Sequence, residues 1–135
     1  MRLLFLSAFA AALFPLALAA QDEAPMDAAA FEAYATGKTL TYAEGGAIFG
    51  TEQYLPGRRV RWAFTGDICK IGHWYEADRL ICFVYEDRDD PQCWQFWRDA
   101  GGLRARFQGD PQGTELSVVR ESAGPLQCSG PDVGA

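Results

Sequence analysis

Four cysteines and one histidine are the side chains of this 135-residue chain with the most distinctive chemistry. The cysteines follow the spacing Cys-x12-Cys-x10-Cys-x34-Cys, which contains no C-x2-C pair. A zinc site or a catalytic dithiol favours closely spaced cysteines, so this pattern argues against both. An even cysteine count in a small exported domain is instead typical of disulfides. We predict two disulfides, no metal and no cofactor.

The pairing follows from a predicted hairpin. If Cys82 lies opposite Cys93, both side chains share one face, as a cross-strand disulfide requires. That choice leaves Cys69 to pair with Cys128, closing a loop of about 60 residues and contributing on the order of 4 kcal/mol. Four cysteines allow three pairings, and the sequence leaves the other two open.

His73 is the candidate for acid–base chemistry. A single histidine can act as a general base or a metal ligand, and no serine here lies in a nucleophile-elbow pattern. A hydrolase that uses His73 with an aspartate or glutamate is therefore an alternative hypothesis. We favour a structural or solvent-facing histidine and predict no catalytic residue.

Acidic side chains cluster around Arg88, at Glu86-Asp87 and Asp89-Asp90. Calcium binds such clusters, but the ligand order of an EF-hand is absent and Arg88 would weaken cation binding. We interpret the segment as a solvated hairpin tip.

Tryptophans and arginines supply the candidate binding residues. Trp94 and Trp97 have opposite parity on one predicted strand, so they point to opposite faces. An exposed tryptophan beside arginines is typical of an interface. Arginines on two predicted strands, at 58, 59, 61, 104 and 106, could receive an acidic partner or pair with the protein's own carboxylates. The candidate binding set is Arg59, Arg61, His73, Trp74, Trp94 and Trp97.

Residues 1–20 have the pattern of a secretory signal peptide. A basic start is followed by an apolar run from 3 to 18 and an A-x-A site at 17–19, with cleavage expected after about Ala19 or Ala20. The run of about 16 residues is shorter than the ~20 that a spanning helix needs, and Pro15 interrupts it. We predict a periplasmic or secreted protein with no membrane span after cleavage.

Residues 21–135 have the length of a single domain. The whole chain carries a net charge of −6. An acidic protein repels phosphate backbones, which argues against nucleic-acid binding. The sequence does not fix the oligomeric state.

Residue periodicity predicts a mainly β fold. Asp27 is a helix N-cap and Gly37 a C′ residue for one short helix over 27–36. Alternating patterns then predict short strands from 38 onward and at 47–55, 59–64, 68–76, 79–86, 92–98, 103–107 and 115–120. The connections are too short for parallel crossovers. We predict an antiparallel meander of about eight strands that closes into a barrel or half-barrel, with an irregular tail from about 121.

Several motifs resemble a family of small exported bacterial proteins of unknown function. They are Gly37-Lys38-Thr39, Gly66-Asp67-Ile68-Cys69, Gly72-His73-Trp74, Ile81-Cys82-Phe83-Val84-Tyr85-Glu86 and Pro91-Gln92-Cys93-Trp94. The resemblance covers about residues 30–100 and implies export and a small antiparallel sheet. Gly72-His73-Trp74 is also similar to the G-x-W of lipocalins, where the motif lies on the first strand rather than mid-chain.

Export, compactness and aromatic content together favour a non-enzymatic binding protein. Its partner would be another protein or a small apolar ligand. The alternatives are the His73 hydrolase and a structural envelope component.

Overall fold

The computed structural model describes residues 24–129, which form a closed eight-stranded antiparallel barrel. The elements are α1 (Ala28–Ala35), β1 (Thr39–Glu44), β2 (Ala47–Leu55), β3 (Arg59–Phe64), β4 (Lys70–Ala77), β5 (Leu80–Tyr85), β6 (Gln92–Asp99), β7 (Gly102–Phe107) and β8 (Glu115–Ser122). Each strand pairs with the next, and β1 pairs with β8 to close the barrel. The predicted meander and barrel are confirmed. The predicted signal peptide lies outside the described residues.

Two-residue turns connect β1 to β2 and β4 to β5. Gly45 and Gly46 join β1 to β2 with φ values of 54° and 86°. Asp78 and Arg79 join β4 to β5 with φ values of 50° and 64°. Positive φ at both central residues matches the right-handed twist of the flanking strands. These turns keep consecutive strands adjacent, which makes a meander the direct outcome.

The helix covers one end of the barrel. Its N-cap is Asp27, as predicted, and the carboxylate accepts from the Ala30 amide at 2.8 Å. The Ala28 amide donates to Glu76 at the end of β4, also at 2.8 Å. Phe31 is 0% exposed, and its ring packs against Trp74 and Phe96 at centroid distances of 5.1 and 4.4 Å. The helix therefore plugs this end with an aromatic side chain.

Both predicted disulfides are present, Cys69–Cys128 and Cys82–Cys93. The β5–β6 register places Cys82 opposite Cys93, as predicted, and Ile81 opposite Trp94. Two disulfides fit a protein of an oxidising, non-cytoplasmic compartment.

Residues 123–129 form the irregular tail along the outside of the barrel. β8 runs to Ser122, two residues beyond its predicted end. Thr39 then donates to the Gly124 carbonyl at 2.6 Å, and the Leu126 amide donates to Gln53 at 3.2 Å. We call residues 123–129 the strap. The disulfide between Cys128 and Cys69 attaches its end to the barrel just before β4. Within residues 24–129, no helix has the length and apolar character needed to cross a membrane.

Candidate ligand cavity

The end of the barrel opposite the helix holds a cavity of about 180 Å³. Here β1, β3, β5 and β7 end and the even-numbered strands begin. Tyr54, Phe83 and Phe96 line the bottom of the cavity and also pack against Phe31 of the helix. Phe31 of the helix therefore packs directly beneath the residues that form the bottom of the cavity.

Aromatic rings form the walls. Trp62 packs against Phe49 and Phe64 at centroid distances of 5.8 and 5.3 Å. On another wall Phe83 stacks parallel to Tyr85 at 6.3 Å. Because these rings contact one another, their faces are held in place before any ligand enters.

Two glycines make room for two of these rings. A Cβ atom at Gly50 would lie 2.4 Å from the Trp62 indole, and one at Gly72 would lie 2.8 Å from the Tyr85 ring. Real Cβ atoms do not approach this closely. The indole of Trp62 and the phenol of Tyr85 therefore occupy space that a side chain at Gly50 or Gly72 would need.

A β-bulge brings a further ring to the cavity. Tyr42 pairs with Gly50 whereas Ala43 pairs with Ile48, so the ladder skips Phe49. A glycine inside a strand is typical of a bulge, and Gly50 lies directly beside this one. Alternation would direct Phe49 away from the face that carries Gly50 and Glu52, yet Phe49 lines the cavity.

A carboxyl group lies inside this aromatic enclosure. Glu52 is 2% exposed and lines the cavity. The Tyr85 hydroxyl donates to it, at 2.9 Å from one carboxylate oxygen and 3.2 Å from the other. Within residues 24–129 Glu52 has no ion-pair partner. Burial raises the pKa of Glu52 well above its usual value, and the Tyr85 hydrogen bond opposes that rise only in part.

Two further hydroxyls lie beside the carboxyl group. Tyr42 and Tyr54 are buried, and their hydroxyl oxygens are 2.7 Å apart. Burial raises the pKa of each phenol, so both stay protonated at neutral pH. One hydroxyl donates to the other, which leaves one phenolic proton available to a molecule in the cavity.

The rim is charged on one side and apolar on the other. Lys70 forms an ion pair with Asp87 at 2.5 Å, and Arg88 one with Asp90 at 3.7 Å. The exposed apolar side chains near the mouth are Ile48, Phe64 and Ile68, which are 48%, 41% and 59% exposed. The segment predicted as an acidic hairpin tip thus forms part of the rim, with its charges engaged by Lys70 and Arg88.

The structure separates the six predicted binding residues. Trp94 lines the cavity, whereas Trp74 is buried near the helix, with the Arg58 guanidinium 4.7 Å from its ring centroid. Trp97 lies half-buried on the outer face of β6 with Arg106 at 4.9 Å from its ring. The predicted opposite orientation of Trp94 and Trp97 is therefore present.

The remaining three predicted residues lie on the outside of the barrel. Arg59 and His73 are opposite each other across β3 and β4, and both are exposed. Arg61 lies under the strap, with its guanidinium 3.0 Å from the Cys128 sulfur. The cavity and these outer residues do not form one site. Among the described residues, no group of three histidine, cysteine or acidic side chains is placed to hold a metal ion.

The arginines of β3 and β7 do not form a common patch, because these strands are not neighbours. Arg104 and Arg106 both bind Glu115, at 2.7 and 3.0 Å. Of the two interpretations, pairing with the protein's own carboxylates is the one observed on β7.

Sequence reasoning missed Glu52 and Tyr85. The available signal was strand alternation. Gly50, Glu52 and Tyr54 lie at every second position of β2, so they share one face, and all three are buried. A glutamate between two inward positions of a strand marks a charged group in a barrel interior.

Comparisons with protein-family models, curated proteins and solved structures find no match to this chain. The resemblance to small exported bacterial proteins therefore stays a prediction.

Proposed function

We propose that this protein is an exported binding protein that holds one small, mainly aromatic molecule in the open end of its barrel. The observation that carries the proposal is the cavity of about 180 Å³ lined by preformed aromatic walls. An engineered apolar cavity of about 150 Å³ accommodates benzene. A ligand with a single ring therefore fits the available space.

The arrangement of the cavity supports binding in two further ways. Ligand sites are typically apolar enclosures with a few placed polar groups, which here are Glu52, Tyr85 and the Tyr42–Tyr54 pair. The exposed apolar side chains on one side of the mouth offer an apolar ligand an approach to the interior. Residues held in contact before binding also lower the entropic cost of complex formation.

The predicted location in the periplasm or outside the cell belongs to this proposal. It rests on the predicted signal peptide and on the two disulfides. Binding is preferred to hydrolysis because His73 lies on the outer face of β4, opposite Arg59.

The test is a calorimetric titration of the oxidised mature protein with 2-phenylethanol, a neutral single-ring probe. We expect one-to-one binding that changes the fluorescence of Trp62 and Trp94. Ala105 lines the cavity and is 1% exposed, so Ala105→Leu should lower the affinity at least tenfold by filling it.

The matched control is Val119→Leu, which adds bulk at a 55% exposed position. It should leave the affinity unchanged. Absence of binding to the wild-type protein, or equal binding by both variants, would contradict the proposal. Circular dichroism of each variant confirms that the barrel is intact.

A further inference from the structure

We propose that the cavity selects a protonated amine attached to an aromatic ring, an arylalkylammonium ion of about the size of 2-phenylethylammonium, with Glu52 as its counter-ion. This inference rests on the proposed binding function and names the chemical class of its ligand.

Glu52 serves no evident purpose in the packing of the barrel. A buried carboxyl group without an ion-pair partner lowers stability, and an apolar side chain of similar volume would fill this position at less cost. Glu52 is 2% exposed, and within residues 24–129 the only hydrogen bonds to its carboxylate come from Tyr85. Departures from a locally favourable choice are expected at functional positions.

The ionised form of this carboxylate has hydrogen-bonding capacity that the protein does not use. An ionised carboxylate has about four acceptor sites, and the Tyr85 hydroxyl supplies one donor. An ammonium group has three N–H donors and no acceptor, which complements the remaining sites. Charge-assisted hydrogen bonds of this kind are roughly twice as strong as neutral ones.

Aromatic rings lie next to Glu52. Trp62 is its direct cross-strand neighbour on β3, and Tyr85, stacked on Phe83, is its hydrogen-bond donor. The faces of these rings carry negative partial charge and attract a cation within about 6 Å. The carboxylate and the rings therefore favour the same sign of charge.

An aromatic carboxylate is the competing ligand class. Lys70 and Arg88 are the basic residues that line the cavity, and each is already paired with an aspartate at the rim. An anion that went deeper would meet the negatively charged faces of the aromatic rings, and its charge would further disfavour ionisation of Glu52. The chain's net charge of −6 also favours the arrival of a cation.

Because Glu52 must lose a proton to act as a counter-ion, the affinity for an ammonium ion should depend on pH. The titratable and charged groups around Glu52 are Tyr42 on β1, Tyr54 on β2, Lys70 on β4, Tyr85 on β5, and Asp87 and Arg88 in the following loop. Burial favours the neutral carboxyl in the empty cavity, so binding an ammonium ion releases the proton of Glu52 to solvent. Affinity for the cation should therefore fall as the pH is lowered from 8 to 5.

The experiment compares three probes that share one ring: 2-phenylethylammonium, neutral 2-phenylethanol and anionic 3-phenylpropanoate. At pH 8 the wild-type protein should bind the ammonium probe at least tenfold more tightly than the alcohol, and the carboxylate least. Glu52→Gln should remove that tenfold preference while changing alcohol binding less than twofold. Between pH 8 and pH 5 only the ammonium affinity should drop.

The matched control is Glu44→Gln, which removes an exposed carboxylate at the same end of the barrel. It should leave the preference intact. Equal binding of ammonium and alcohol, or tighter binding of the carboxylate, would overturn this inference while the proposed function stands. Failure of all three probes to bind would overturn both.

Discussion

At the helix-covered end of the barrel, Phe31 fills the interior and packs against Tyr54, Trp74 and Phe96. At the opposite end the same strands enclose a cavity with a buried carboxyl group at Glu52. The helix-covered end is filled by apolar contacts. The opposite end has open space and a carboxyl group in place of such contacts. A small barrel can therefore hold a destabilising group at one end when its other end supplies the stability.

The largest effect is expected from emptying the filled end. Phe31→Ala removes a fully buried ring and should lower the free energy of unfolding by about 3 to 5 kcal/mol. Phe64→Ala, at the cavity rim and 41% exposed, should cost much less. Urea denaturation of both variants checks this. Equal losses would show that the two ends contribute alike to stability.

An intermediate effect is expected from replacing the buried carboxyl group of Glu52. The folded-state pKa of Glu52 is raised, so between the usual value of 4.5 and the folded value the native state binds more protons than the unfolded state. Stability should therefore fall as the pH rises through this window, by up to about 1.4 kcal/mol per pH unit.

Glu52→Gln should flatten this slope and stabilise the protein at pH 7. Thermal unfolding from pH 4 to pH 8 measures the slope for both proteins. A wild-type stability that rises with pH while the Gln variant stays flat would show that Glu52 is stabilised as the anion in the empty barrel. That outcome would mean that Glu52 is not the group that destabilises the open end of the barrel.

The smallest effect is expected on the outer surface, which belongs to neither end. Glu115→Gln weakens the ion pairs with Arg104 and Arg106, which are about one-third exposed. Surface ion pairs contribute about 0 to 1 kcal/mol, and salt screens them. The change should be below about 1 kcal/mol in urea denaturation and should shrink in 1 M salt. A larger, salt-independent loss would mean that the outer surface matters as much as the filled end.

Most of the fold could be predicted from the sequence because its determinants are local. Alternation located the strands, the Gly45-Gly46 turn fixed a hairpin, and one register placed Cys82 opposite Cys93. The helix was predicted from its N-cap Asp27.

The cavity could not be predicted in the same way. Glu52 on β2 meets Tyr85 on β5, and these strands are separated by two others in the sheet. That contact crosses the interior and depends on the curvature and stagger of the closed barrel, which alternation does not specify. Strand alternation also places His73 and Trp74 on opposite faces of β4, but it does not indicate which of them faces inward.

The pairing of β1 with β8 has a consequence for the rate of folding. Thr39 lies opposite Ser122, so the seam that closes the barrel joins the two ends of the described chain. Contacts this distant in sequence bear the largest loop-closure entropy and slow folding. The Cys82–Cys93 bond spans 11 residues and shortens that loop only slightly, whereas Cys69–Cys128 spans 59 and brings the strap end close to the middle of the chain. Oxidation of Cys69 and Cys128 therefore shortens the loop that remains to be closed, and a chain that carries this bond should close its seam faster than a reduced one.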